Sequence, residues 1–97
     1  MIDEEMEKKL KEIFKEYNWY EDIIVTYDPD DKEYEVTLYY KYTRLFKQVI
    51  DETLRILERE LGGKTLEYEI GCVDNGKFAI DVFVKKPTSR SDIHSCD

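Results

Sequence analysis

Lys32-Glu33-Tyr34-Glu35-Val36-Thr37-Leu38-Tyr39-Tyr40-Lys41 decides the fold. Tyr34, Val36, Leu38 and Tyr40, continued by Tyr42, alternate with Glu35, Thr37, Tyr39 and Lys41, the signature of a strand with one buried face. A second stretch repeats the pattern: Gly76-Lys77-Phe78-Ala79-Ile80-Asp81-Val82-Phe83-Val84-Lys85. Val25-Thr26-Tyr27-Asp28 ahead of the first turn is answered by Gly71-Cys72-Val73-Asp74 ahead of the second, in register once a short gap is allowed. Residues 3–43 and 44–86 therefore read as one unit used twice, each running helix, strand, turn, strand.

Working outward, Asp3 is placed to cap a first helix, with Glu4 and Glu5 near its positive end. Ile2, Met6, Leu10, Ile13, Phe14 and Tyr17 recur at helical spacing and form one apolar stripe. Asn18 suits a left-handed residue after that helix. The first strand covers about residues 21–27, and Asp28-Pro29-Asp30-Asp31 is a turn by composition. The second strand, 33–43, runs straight into a second helix over 44–61, with Thr43 as its cap. Phe46, Val49, Ile50, Thr53, Leu54, Leu57 and Leu61 are its core stripe, and Leu45 and Ile56 widen one flank. Gly62-Gly63 ends the helix as a flexible stop. A third strand over 65–73, an Asp74-Asn75-Gly76 hairpin turn and a fourth strand over 77–85 complete the unit.

The order αββαββ predicts a two-layer α+β domain over residues 1–87: a four-stranded antiparallel sheet, order 1-2-4-3, with two helices on one face. In topology this equals a permuted ferredoxin-like sheet, a comparison that carries no function. Residues 88–97 have no apolar periodicity and read as a flexible tail.

Composition narrows the task. With 41% hydrophobic and 39% charged residues, the 97-residue chain is too apolar for disorder and too charged for a membrane span. The acidic start of the chain shows no apolar signal core, and two cysteines are too few for a disulfide framework, so free thiols and a cytoplasmic setting are expected. The net charge is −8, and residues 21–43 hold −5 of it. Direct nucleic-acid binding, which rests on Lys and Arg neutralising phosphates, is not expected. A protein partner with a basic surface is.

Sites of chemistry are sparse. Asp28, Asp30, Asp31 and Glu33 fail as a calcium loop, because Pro29 interrupts it, the required glycine is missing and Tyr39 stands where a bidentate Glu belongs. Asp92, His94, Cys96 and Asp97 lack a second ligand pair. Gly62-Gly63-Lys64 follows a helix rather than opening one, so it is no phosphate loop. Cys72 alternates inward beside Tyr68 and Ile70 and reads as a small core residue. No enzyme and no cofactor are expected.

Two helices cover only one sheet face. The other carries Glu35, Tyr39, Glu67, Glu69, Asp81 and Phe83. Tyr39 and Phe83 have no reason to be aromatic on a simply wet face, and apolar groups rimmed by charge mark contact surfaces. Leu45, Ile56, Trp19 and Tyr20 are further candidates for incomplete burial. The expected binding set is the acidic tip, Asp30 and Asp31, together with those six face residues. It defines a small acidic protein-binding module, of the kind that occupies a basic, nucleic-acid-handling groove as phage-encoded antagonists do. An idealised, engineered scaffold with no native task fits the mutually consistent turns and alternation, although two free cysteines and the tail argue against design. A small homodimeric ligand-binding protein is the remaining alternative. It would join through sheet faces or the third strand's edge, with Tyr27, Tyr34, Tyr40, Tyr42 and Tyr68 lining a pocket.

Overall fold

The computed structural model describes residues 1–42, 44, 46–73 and 76–87. Thr43, Leu45, the Asp74-Asn75 turn pair and the tail with Asp92, His94, Cys96 and Asp97 lie outside the described residues. Helix α1 (Glu4–Phe14) leads into strands β1 (Tyr20–Asp28) and β2 (Glu33–Tyr40). Helix α2 (Lys47–Leu61) leads into β3 (Lys64–Cys72) and β4 (Phe78–Lys85). The sheet is antiparallel throughout and ordered β1-β2-β4-β3, as the alternation predicts.

The core lies between sheet and helices. Leu10 and Phe14 of α1, and Ile56, Leu57 and Leu61 of α2, pack over Ile23, Val25, Val36, Leu38, Ile80, Val82 and Val84. One buried hydroxyl pair crosses it: Tyr40 Oη lies 2.8 Å from Thr53 Oγ1, which also donates to the Val49 carbonyl at 2.8 Å. Each polar group is thereby satisfied without water. Burial pushes the Tyr40 phenol up to about 12.

Local chemistry explains the element ends. Asp3 is extended, and its Oδ1 accepts the Met6 N–H at 3.0 Å, as expected of a cap. At the first hairpin, Asp28 Oδ1 accepts from the N–H groups of Asp30 and Asp31, and Lys32 closes the turn in the left-handed region at φ 53°. Gly62 takes φ 67° after α2, the conformation that favours glycine at a helix end. Gly63 is required for another reason. A Cβ there would overlap the Lys85 carbonyl oxygen and come within 2.9 Å of its carbon.

Several expectations need correction. Helix α1 ends at Phe14, with Lys15 right-handed at its C-cap, so Asn18 is not its left-handed stop. Ile2 leaves the apolar stripe: it is exposed and bridges to Thr26. Helix α2 starts at Lys47, not Arg44; Phe46 is its N-cap and stays 56% exposed, outside the core. Ile56, expected on the flank, is buried, because the buried stripe passes through Thr53, Ile56, Leu57 and Leu61. Tyr42 lies beyond β2 and is exposed. The hairpin correspondence also shifts. Val25 pairs with Val36 and Ile70 with Ile80, so Val25 is matched by Ile70 rather than by Gly71.

The largest departure is at β3. Tyr68 and Ile70 point to the helical side, opposite Val82 and Ile80, yet remain 44% and 42% exposed. Their counterparts in β1, Ile23 and Val25, are fully buried under α1. Cys72 shares the uncovered stripe and is exposed, so it is not a core residue. Alternation assigns the face correctly, but α2 does not reach far enough across the sheet to cover it.

Candidate functional site

The helix-free face is a grid set by the ladder registers. Thr26, Glu35, Phe83 and Glu67 make one row across the four strands. Ile24, Thr37, Asp81 and Glu69 make the next, and Asp22, Tyr39, Ala79 and Gly71 the third. At the other end Asp28 and Glu33 continue into Lys85 and Lys64. Directly opposed side chains in such rows sit about 4.5–5.5 Å apart at Cβ. Carboxylates therefore recur in every row, with Ile24, Tyr39 and Phe83 set between them.

The centre of the grid is organised. Thr37 Oγ1 donates to Asp81 Oδ1 at 2.6 Å. This fixes one carboxylate and leaves its second oxygen to its surroundings. Glu35, one residue diagonal to Asp81, is held above the usual carboxylate range, first by partial desolvation and then by the Asp81 and Glu33 charges. Crowded acids of this kind gain when a cation arrives among them.

A hollow of about 350 Å³ joins the grid to the first hairpin, lined by Met1, Thr26, Tyr27, Asp28, Pro29, Asp31, Glu33, Glu35 and Phe83. It brings Asp31 of the tip together with Glu35 and Phe83 of the face. Asp30 stays on the outside of the turn and is exposed. A smaller hollow of about 220 Å³ on the same face includes Thr37, Glu69, Gly71, Ala79 and Asp81. Of the eight expected residues, Glu35, Phe83 and Glu67 share a row, Asp81 and Glu69 share the next, Tyr39 lies in the third, and the two tip aspartates stand beyond the end.

Sequence reading missed Asp22, Ile24, Asp28 and Glu33 as members of this face, whereas Thr37 stands there as its outward alternation predicts. Period-two counting along β1 carries the signal for the first three, since Asp22, Ile24 and Asp28 share a parity opposite to that of buried Ile23 and Val25. The tyrosines do not line one pocket. Tyr34 and Tyr40 are buried, Tyr27 packs against Tyr34 at 4.6 Å between centroids, and Tyr68 lies on uncovered β3. Tyr40 and Tyr42 instead join Trp19, Phe46 and Val49 around an apolar hollow of about 220 Å³. Trp19, expected to be only partly covered, is half-buried there, and so is nearby Tyr20 against Phe14.

Among the described residues, no three His, Cys, Asp or Glu side chains converge as a metal site, and no helix is long and apolar enough to cross a membrane. Comparison with family models, with curated proteins and with solved structures found no match.

Proposed function

We propose that this chain is a non-enzymatic binding module whose helix-free sheet face and first hairpin dock on a basic protein surface. One observation carries the reading: carboxylates recur in every row of the face, interleaved with Ile24, Tyr39 and Phe83. Exposed acids supply acceptors for Lys and Arg, and aromatic faces between them accept the same cations and bury apolar area. The two helices present mixed charge, so the negative field belongs mainly to this side. A basic groove of the type that holds a nucleic-acid backbone is the fitting counter-surface, which makes an inhibitor of a nucleic-acid-handling protein the favoured role.

The test needs a captured partner and stopped-flow or surface-based kinetics. Replacing Asp30, Asp31 and Glu35 together by Asn, Asn and Gln should slow association and flatten its salt dependence, because rim charge governs encounter. Tyr39→Ala or Phe83→Ala should speed dissociation at least tenfold while the domain stays folded. A partner whose binding ignores all these changes would refute the assignment of the face.

A further inference from the structure

The two edges of the sheet are treated differently. Along β1, the Tyr27 N–H donates to the Met1 carbonyl at 2.8 Å and the Asp3 N–H to the Val25 carbonyl at 3.0 Å. The Val25 N–H donates to Glu7 Oε2 at 3.1 Å. The N-terminal residues and α1 thus occupy that edge. On β3, the Thr65 N–H finds Glu58 Oε2 at 2.8 Å, at the start of the strand only.

Which groups β3 leaves open follows from its hairpin. The Val73 N–H donates to the Lys77 carbonyl at 2.8 Å, so residue 73 faces β4, and by alternation so do 71, 69 and 67. The N–H and C=O groups of Tyr68, Ile70 and Cys72 therefore point out of the sheet. No hydrogen bond from another described residue reaches them. The side chains of the same three residues form the stripe that α2 leaves uncovered. Polar edge and apolar face are open together at one place, and such edges recruit another strand.

We infer that the occupant is a second copy of this chain, its β3 pairing antiparallel with β3 about a twofold axis at Ile70, to give a continuous eight-stranded sheet. Charge selects this register. A twofold at Tyr68 would set Glu67 against the partner's Glu69, and a twofold at Glu67 or Glu69 would set that residue against itself. Like charges directly opposed are destabilising. With Ile70 on the axis, Glu69 faces Gly71, where nothing lies within 4 Å of the missing Cβ, and Glu67 faces Val73. This is the longest pairing that opposes no carboxylates. Ile70 meets Ile70 and Tyr68 meets Cys72, each pair exchanging two N–H···O bonds.

Area is adequate for a modest dimer. Leu66, Tyr68 and Ile70 expose 56%, 44% and 42% of their surfaces. That is about 300 Å² per copy, or roughly 600 Å² between two, half of the ~1,200 Å² at which stable interfaces begin. Pairing also buries the open backbone edge of β3, and an interface near or below ~1,200 Å² suits a weak, concentration-dependent dimer. Each copy carries −8, and the two Glu69 carboxylates lie on a diagonal about 7–8 Å apart, so salt should tighten this contact. Docking of the acidic face on a basic partner has the opposite salt dependence. The inference does not rest on that reading, and the two can fail separately.

Sedimentation velocity of the full chain under reducing conditions, from ~10 µM to ~1 mM and at low and high salt, tests it. The expected result is a monomer–dimer equilibrium whose dimer fraction rises with salt, abolished by Ile70→Lys with unchanged circular dichroism. Tyr68→Cys in a Cys96→Ser background tests the register. Opposed residues in a bonded pair sit about 5.5 Å apart at Cα, within disulfide range, whereas positions 68 and 72 of one strand are about 13 Å apart. Oxidation should give a covalent dimer with Tyr68→Cys and none with Cys96→Ser alone. A wild type that stays monomeric at ~1 mM in high salt overturns the dimer. A dimer that survives a folded Ile70→Lys, or that gives no covalent product with Tyr68→Cys, overturns the Ile70 axis.

Discussion

Gly62 and Gly63 adjoin in sequence but carry different constraints, and replacing each by Ala separates them. At Gly62 nothing lies within 4 Å of a new Cβ, so the cost is that of a left-handed alanine, about 1 kcal/mol. At Gly63 the new methyl would overlap the Lys85 carbonyl oxygen and sit 2.9 Å from its carbon and 3.1 Å from Val84 Cγ1. Ordinary contact begins at 3.4 Å, so the end of β4 must retreat by at least about 0.5 Å, a distortion of the overpacking type that costs about 1–3 kcal/mol. Lys85 pairs with both Lys64 and Glu33, so the retreat also strains ladder hydrogen bonds worth about 1 kcal/mol each. The sum is about 2–4 kcal/mol for Gly63→Ala, a fall in Tm of roughly 10–25 °C for a domain of this size. Urea titration followed by far-UV circular dichroism, with Tm from thermal melts, provides both figures. Should Gly63→Ala cost no more than Gly62→Ala, the close approach of the α2–β3 corner to β4 is wrong.

Other outcomes follow from the same structure. Leu38→Ala or Val82→Ala, each at a fully buried site in a central strand, should lose about 2–4 kcal/mol by urea titration, whereas Thr37→Ala on the open face should lose about 1 kcal/mol with its bond to Asp81. Two glutamates should respond to pH with opposite signs. Glu58 is held below the usual range chiefly by the Thr65 N–H. Its stabilisation is present above its ordinary value and lost as pH falls through the lowered one, so Glu58→Gln should be less stable than wild type at pH 7 and converge with it in acid. Glu35 is held above the usual range, so its contribution is full below its ordinary value and lost as pH rises through the raised one. Glu35→Gln should accordingly exceed wild type in urea midpoint at pH 7, with the gap closing near pH 3.

Alternation in 33–41 and 76–85 was enough to read the strand order, because inward and outward residues differ sharply there: Val36 and Leu38 against Glu35 and Thr37. The same rule names a face without saying whether anything covers it. Tyr68, Ile70 and Cys72 alternate as well as Ile23 and Val25 do, and only the reach of α2 distinguishes them. Glu35, Glu67, Glu69 and Asp81 were legible as outward groups. Their rows were not, since rows depend on register, and the gap between the hairpins was placed so that Val25 met Gly71 rather than Ile70. Phe46 misled because its spacing fits the α2 stripe, while the helix begins one residue later. Gly63 resembled a spare glycine, because a steric requirement imposed by a distant carbonyl leaves no local trace.

The β2–β4 seam has a consequence for the order of folding. Each outer strand joins its neighbour through a short hairpin, a local event on the microsecond scale. The central pairing runs from Glu33↔Lys85 to Tyr39↔Ala79 and needs the chain between, with all of α2, to close first. Loop-closure entropy falls on that one step, and its rewards, Val36 on Val82 and Leu38 on Ile80, arrive only after closure. The rate-limiting barrier should therefore lie at the seam. Truncations at Tyr27 or Phe78, whose hairpin pairings precede the barrier, should mainly slow refolding, while those at Val36 and Val82, whose seam contacts follow closure, should mainly hasten unfolding.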